Sequence, residues 1–345
     1  MRHVASFMAA AAATFIAASS AHAQSVEAFY KGKQISLLVG SGAGGGYDAY
    51  ARVFARHASR HIPGNPQLVA KNVPAAGGLA AASQLYNNAD HDGLTIAAHT
   101  NGIAMDPLFG NPGARFDALK FAWLGSMGKL QNICMSWHTS SVKTIEQARQ
   151  KEITVAGAGA TSNTVIVPKI MNALLGTKFK VIAGYEPGQG DTIAVETGEV
   201  EGVCGLAWST IKASRSQWLE PGKINVLVQM ALVKLPDLPN APSAIDLVTD
   251  PVKRQVLELI LIRQEMGRPF AAPPGVPADR IAALRRGFDA TMKDPEFLAE
   301  AARAQLEIDP LTGEDVEKLL AKAYGAPKDI VQQAAALIEP AAGGK

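Results

Sequence analysis

The sequence lacks the charge excess and the long apolar runs that mark several large classes of protein. Its basic residues outnumber its acidic residues by only two, so the formal net charge is +2. Nucleic-acid binding requires a strong basic field, so this balance excludes a nucleic acid as partner. No apolar run reaches the roughly 20 residues that a membrane-spanning helix needs. The chain also has no fixed-period repeat and no low-complexity segment, and its length suggests two domains.

Motifs for covalent, redox and metal-dependent catalysis are absent as well. The chain contains no G-x-S-x-G nucleophile elbow, no C-x-x-C pair and no paired-acid motif. His57 and His61 have the i, i+4 spacing of a zinc-binding helix, but no glutamate follows His57, so a metal site is not expected. We therefore expect a protein that is not an enzyme and that holds neither a cofactor nor a metal.

Residues 40–45 match the G-x-G-x-x-G pattern of dinucleotide-binding proteins, but the rest of that fingerprint is missing. Such a site needs an acidic residue about 20 residues further on, and no Asp or Glu lies between Asp48 and Asp90. A phosphate-binding P-loop needs Gly-Lys-Ser/Thr, whereas Tyr47 follows Gly46. The glycines therefore indicate a different ligand, or a tight turn with no ligand.

Cysteine is scarce, and its role is open. Cys134 and Cys204 are the only two cysteines, and both lie in apolar strand-like runs. An oxidising compartment would allow them to pair. Free cysteine is nevertheless among the most buried residue types, and we favour two buried thiols over a disulfide.

The N-terminus has the features of an export signal. Arg2 precedes an apolar run over 4–18, and Ala21-His22-Ala23 supplies a small-residue cleavage site. We expect residues 1–23 to be a signal peptide that is cleaved after Ala23. Gln24, and not a cysteine, follows the cleavage point, so a lipid anchor is not expected, and the mature protein should be soluble and exported.

Strand-like and helical patterns alternate over the first two thirds of the chain. Nine apolar strand-like runs lie between Ile35 and Met230, and segments with helical periodicity separate most of them. This alternation predicts an α/β fold of mainly parallel sheets flanked by helices. After Met230 a proline-rich loop over 235–242 leads into a helical C-terminal region.

One strand–glycine–helix unit stands near the N-terminus of the mature chain. The strand-like run 35–39 is followed by five glycines over 40–46, and a helix begins at Tyr47 and Asp48. The first N–H groups of a helix have no partner within the helix and lie at the positive end of its dipole. Glycines also let a ligand approach the main chain closely. This unit is therefore a candidate anion-binding site.

A second unit repeats this pattern about 110 residues later. The run 153–156 is followed by Gly157 and Gly159 and then by Thr161, Ser162 and Asn163. These three side chains are good N-cap residues and can also donate to a ligand oxygen. Two lobes that close on a small anion would use both units.

Other loop residues at strand ends are weaker candidates. His99 ends a strand-like run, and Thr100 and Asn101 follow it. Ligands of α/β sheets bind beyond such strand ends. We expect His99 either to contact a ligand or only to cap the strand. A third glycine loop contains Gly188 and precedes Asp191. Trp208 follows another strand and either lines a pocket or lies in the core.

Several stretches together resemble the substrate-binding proteins of the tripartite tricarboxylate transporters, the Bug family. Their order and spacing cover nearly the whole mature chain. The stretches are 29–33, 44–48, 72–78, 92–96, the second glycine loop and 198–203. The chain departs from the family pattern at Ala43, where proline is usual, at Glu186, which follows Tyr185 where lysine is usual, and at Asn163, where histidine is common.

This resemblance implies a two-lobed type II periplasmic-binding-protein fold, known as a Venus flytrap, with a small organic acid in the cleft. We expect lobe 1 to contain residues 24–123 and 232–345, and lobe 2 to contain 124–231. The implied protein is a periplasmic monomer that delivers its ligand to the permease subunits of a tripartite transporter. The alternative is a periplasmic ligand sensor that feeds a signalling receptor or kinase.

The resemblance implies ligand contacts at residues 43–48 and at Gly159, Thr161 and Ser162, and the residue patterns add the remaining candidates. Most belong to the two glycine units, and the others lie at strand ends and in the turn at 75–78. The complete set is Ala43, Gly44, Gly45, Gly46, Tyr47, Asp48, Gly77, Gly78, His99, Thr100, Asn101, Gly159, Thr161, Ser162, Asn163, Gly188, Asp191 and Trp208.

Overall fold

The structure is a computed structural model that describes residues 25–159, 162–186 and 190–338. The strands in these ranges are β1 (Gln34–Val39), β2 (Gln67–Asn72), β3 (Thr95–Ala98), β4 (Ala122–Ser126), β5 (Asn132–Trp137), β6 (Ile153–Gly157), β7 (Phe179–Ala183), β8 (Gly202–Ala207), β9 (Ile224–Met230), β10 (Pro269–Ala272) and β11 (Leu311–Thr312). The expected signal peptide lies outside the described residues.

The α-helices alternate with these strands and then dominate the C-terminal third. They are α1 (Val26–Tyr30), α2 (Gly46–Ala58), α3 (Leu79–Asn87), α4 (Ile145–Gln150), α5 (Asn163–Leu175), α6 (Gly190–Glu196), α7 (Trp208–Ser214), α8 (Ala244–Leu247), α9 (Pro251–Glu265), α10 (Ala278–Thr291), α11 (Pro295–Arg303), α12 (Gly313–Tyr324) and α13 (Lys328–Ile338). None of the helices in the described ranges is both long enough and apolar enough to cross a membrane.

The strands form two sheets, which confirms the predicted two-lobed α/β fold. One sheet has the order β11-β4-β10-β3-β1-β2, and the other has the order β7-β6-β8-β5-β9. Both sheets are mixed rather than mainly parallel. β1 is parallel to β2 and β3, and β6 is parallel to β7 and β8, but β10, β11 and β5 pair antiparallel with their neighbours. The alternation of strands and helices does not specify these reversed strands, because they pair with strands distant in sequence.

Two connections link the sheets. In the first, β4 belongs to the first sheet as far as Ser126, and β5 belongs to the second sheet from Asn132. After β9, the loop over 235–242 still packs on the second sheet. The buried Gln229 amide donates to the carbonyls of Leu238 at 3.0 Å and Ala241 at 2.8 Å, and its oxygen accepts from the Leu235 amide. A glutamine inside an apolar strand holds this loop, and the hydrophobic pattern does not reveal such a contact.

Helix α9 connects the two lobes through a shared apolar core. It begins at Asp250, whose carboxylate accepts from the amides of Val252 and Lys253 at 2.9 Å each, and Pro251 occupies its first turn. Its buried apolar residues, which include Leu257, belong to one cluster with side chains of both sheets. This position brings the C-terminal end of α9 to the junction between the lobes.

The two cysteines form a disulfide, so the interpretation as two buried thiols is wrong. Both are fully buried, and the antiparallel pairing of β5 with β8 places Cys134 directly opposite Cys204. The apolar runs predict burial correctly, but only the pairing of strands 70 residues apart brings the sulfurs together.

Candidate functional site

A cavity of about 790 Å³ is lined by residues from both lobes. The helix starts of both glycine units contribute to it, through Tyr47 at the start of α2 and Ser162 and Asn163 at the start of α5. Two further loops of the first lobe add Gly77, Thr100 and other residues. The cavity therefore lies beyond the carboxyl ends of β1, β3 and β6, where ligands of α/β sheets usually bind.

The first glycine loop is held in shape by Asp48. This carboxylate is 3% exposed and accepts from the Gly44 amide at 2.8 Å, Asn72 Nδ2 at 2.8 Å and Arg52 Nε at 2.9 Å. Asn72 Nδ2 also donates to the Ser41 carbonyl at 2.9 Å. Burial by itself raises the pKa of Asp48, but these hydrogen bonds outweigh burial and lower it. Asp48 therefore stabilises the conformation of the loop. Residues 42–46 of the loop are exposed.

Arg268 packs against two aromatic side chains of α2. Its guanidinium lies over the ring of Tyr47 at 4.4 Å and over that of Tyr50 at 4.7 Å, distances typical of cation–π contacts. Tyr47 Oη in turn accepts from the Asn101 amide at 3.1 Å. These contacts fix Tyr47 at the cavity wall and join the first unit to the loop after β3.

The turn after β2 packs tightly against the first unit. Gly78 has φ +101°, and a Cβ there would lie 2.8 Å from the Gly40 carbonyl oxygen, so only glycine fits. Thr100 Oγ1 donates to the Gly77 carbonyl at 3.0 Å. The close packing brings Gly77 and Thr100 to the same part of the cavity lining.

The second glycine unit depends on a close approach between α5 and β8. Gly205 has φ +96°, and a Cβ there would lie only 2.3 Å from the Asn163 carbonyl oxygen. Thr164 Oγ1 accepts from the Ala158 amide at 3.0 Å, so this side chain holds the loop. Ser162 caps α5 without a side-chain hydrogen bond to the helix amides. The first N–H groups of α5 are therefore not occupied by their own N-cap side chain.

Two charged side chains that the sequence analysis missed also line the cavity. Arg263, near the end of α9, donates through Nη2 to Asn163 Oδ1 at 2.5 Å. Asp106, in the loop after β3, accepts from Asn111 Nδ2 at 3.2 Å. Burial raises the pKa of Asp106, and Asn111 and Arg263 partly oppose this effect. A visible signal for Arg263 was available: it is the first charged residue after the apolar run 259–262.

The structure brings together six of the predicted site residues. Those that line the cavity are Tyr47, Gly77, Thr100, Asn101, Ser162 and Asn163. The predicted residues that do not line it are Ala43, Gly44, Gly45, Gly46, Asp48, Gly78, His99, Gly159, Asp191 and Trp208. Thr161 and Gly188 lie outside the described residues.

Two aromatic candidates belong to cores instead of the cavity lining. His99 is 1% exposed and packs against the rings of Phe121 and Trp123, at 5.4 and 5.9 Å between centroids. Burial lowers the pKa of His99 to about 3, so the ring is neutral. Trp208 is buried in the second lobe, and its indole N–H donates to Asp237 at 3.0 Å. Both occupy strand ends as predicted, but their side chains turn into the protein.

Solved structures similar to this chain identify the architecture. A TctC solute-binding protein from Polaromonas matches with a TM-score of 0.68 and 19% identity, over 88% of this chain and 99% of that one. The periplasmic binding protein BugD matches with a TM-score of 0.61 and 20% identity, over 89% and 97% of the two chains. This is the fold of the periplasmic solute-binding proteins. A protein from R. palustris with adipate shares it, with a TM-score of 0.63 and 19% identity, over 88% and 98%.

Comparisons at the level of sequence add nothing to this result. No protein-family model matches the chain, and no curated protein matches it.

Proposed function

We propose that this protein is a periplasmic solute-binding protein that captures a small organic carboxylate between its lobes and delivers it to a membrane permease of the tripartite tricarboxylate type. The observation that carries the proposal is that the starts of α2 and α5, one from each lobe, meet at a single cavity. Two sets of helix-start amides and one guanidinium suit a negatively charged ligand.

The support comes from the site first and from the fold second. Ser162 offers a hydroxyl donor and Asn163 an amide donor in the cavity, and Arg263 adds a positive charge. The structure that matches with adipate holds a carboxylate in the same fold. A binding role also fits the sequence, since no catalytic motif was recognised in it.

The remaining parts of the proposal concern export, the oligomeric state and the connections between the lobes. We propose that residues 1–23 direct the chain to the periplasm, that cleavage follows Ala23, and that the mature protein acts as a monomer. The lobes would be joined at 127–131, between β4 and β5, and near Gly267, between α9 and β10. A Cβ on Gly267 would lie 2.5 Å from the Leu130 amide nitrogen, so these two connections touch each other.

Isothermal titration calorimetry with mono-, di- and tricarboxylates tests the binding function. Ser162→Val replaces a hydroxyl group of the cavity lining at the start of α5 by an apolar side chain, and that hydroxyl makes no hydrogen bond to the helix amides. The change should therefore leave the fold intact and weaken carboxylate binding at least tenfold. Ala302→Val, on the exposed side of α11, is the matched control and should bind as the natural protein does.

Two results would count against the proposal. Unchanged affinity in Ser162→Val would remove the start of α5 from the site. Failure of every carboxylate, with binding of an uncharged or cationic solute instead, would reject the function itself. Uptake of the bound acid by membrane vesicles that contain the permease subunits, and only with this protein present, tests the delivery step.

A further inference from the structure

The cavity contains one positive and one negative side chain that do not neutralise each other directly. Among its described lining residues, only Arg263 and Asp106 carry a charge, and they are not joined by an ion pair within 4.0 Å. The charge of Arg263 acts to lower the pKa of Asp106, and the charge of Asp106 acts to raise the pKa of Arg263, so each side chain acts on the other through space. The described part of the lining therefore offers a ligand a single cationic group, with a carboxyl group elsewhere in the wall.

The guanidinium of Arg263 has donors to spare. Its Nη2 donates to Asn163 at 2.5 Å, and its Nε is buried without a hydrogen-bond partner among the described residues. An arginine presents five N–H donors in a planar fork that matches a carboxylate. Asn163 orients this fork from the second lobe, so a carboxylate bound there would contact both lobes at once.

The rest of the cavity is largely apolar and larger than a short acid requires. Met105 and Phe109, at i and i+4, share one face of a turn-rich segment, and Ala335 and Ile338, at i and i+3, share one face of α13. The other large apolar lining residues are Leu79, Leu130 and Ile166. A volume of about 790 Å³ falls in the range of roughly 300–1,000 Å³ that holds drug-sized ligands.

We propose that the ligand is a monocarboxylate with an apolar ring or chain as its body, and that Arg263 is the side chain that selects its carboxylate. This inference rests on the proposed function and narrows its ligand class. The apolar lining residues would bury the body of the ligand. A second carboxylate at the far end of that body, away from Arg263 and the start of α5, would lie against this apolar wall or near Asp106, and both environments penalise a negative charge.

A matched pair of ligands tests the selection directly. Cyclohexanecarboxylate and trans-cyclohexane-1,4-dicarboxylate share one ring and differ by one carboxylate, and cyclohexanecarboxamide is the uncharged analogue. Calorimetry uses the exported full-length mature protein after removal of any bound ligand. The monocarboxylate should bind at least tenfold more tightly than both the dicarboxylate and the carboxamide.

Two variants assign the effect to the two charged residues. Arg263→Gln should weaken monocarboxylate binding by about 10- to 100-fold, the value of one hydrogen-bonded charge pair. Asp106→Asn should strengthen dicarboxylate binding severalfold and so reduce the preference for the monocarboxylate over the dicarboxylate. Arg254→Gln is the control, since Arg254 lies on the exposed part of α9 and pairs with Glu258 at 3.2 Å.

The outcomes separate this inference from the proposed function. Equal or tighter binding of the dicarboxylate, or unchanged monocarboxylate affinity in Arg263→Gln, would overturn the inference while carboxylate capture stands. Binding of the carboxamide alone would overturn the proposed function as well. If Arg263→Gln does not fold, the ligand pair and Asp106→Asn still decide the question.

Discussion

Replacement of Asp48 by asparagine tests whether this buried carboxylate supports the first glycine loop. The side chain is 5% exposed and accepts from Gly44, Asn72 and Arg52 at 2.8 to 2.9 Å. Asparagine has nearly the same shape, but an NH₂ group replaces one oxygen of the carboxylate and would face a hydrogen-bond donor. The change therefore removes the charge and at least one hydrogen bond without creating a cavity.

The expected cost follows from the kind of donors involved. A hydrogen bond to a charged group contributes roughly 1.5–3 kcal/mol when buried. The Arg52 side chain is 43% exposed, so water screens this pair, and it contributes about 1 kcal/mol or less. We expect Asp48→Asn to lower the free energy of unfolding at neutral pH by about 2–3 kcal/mol. Urea unfolding followed by circular dichroism measures this difference.

The pH dependence gives a second, independent check. The hydrogen bonds hold the pKa of Asp48 below its ordinary 3.8. A carboxylate with a lowered pKa in the folded state contributes stability above its ordinary pKa and loses that contribution as the pH falls through the folded value. The difference between the natural protein and Asp48→Asn should thus shrink below about pH 4.

An exposed acidic residue provides the control, and the same urea titration can refute the supporting role of Asp48. Asp90 is exposed and has no recorded hydrogen bond among the described residues, so Asp90→Asn should change stability by less than about 0.5 kcal/mol. If Asp48→Asn costs no more than this control, or if its cost does not change between neutral and acidic pH, the carboxylate does not support the loop as argued.

Three further predictions concern the elements that hold the site. Gly205→Ala forces a Cβ to 2.3 Å from a carbonyl oxygen at φ +96° and should lower the free energy of unfolding by about 3 kcal/mol or more. Its control is Gly222→Ala, which has open space at φ +81° and should lower that free energy by about 1 kcal/mol in the same urea titration. Reduction of Cys134–Cys204, which closes a loop of 70 residues, should cost about 4 kcal/mol, and unchanged unfolding with a reductant would contradict this. His99 has a folded pKa of about 3, so protonation of the unfolded chain below about pH 6.5 destabilises the protein. His99→Phe should remove about 2–3 kcal/mol of that loss at about pH 4.5, and an unchanged pH profile would refute it.

The sequence by itself predicted the two glycine units and their place at strand ends. Apolar runs, glycines and N-cap residues are local features, and their spacing along the chain needs no distant contact to be recognised. The nine predicted strands therefore appear in the structure, as do helices that follow the two glycine loops and begin at Gly46 and Asn163. The family resemblance added the two-lobed arrangement that puts these starts opposite each other.

The tertiary structure alone decided which side chains meet at the cavity. Arg263 reaches Asn163 across 100 residues, and Cys134 meets Cys204 through the register of two antiparallel strands. The same packing turns His99 and Trp208 inward and gives Asp48 a supporting role. Residues distant in sequence come together only when whole sheets and helices pack, and no local pattern encodes the direction in which a side chain then points.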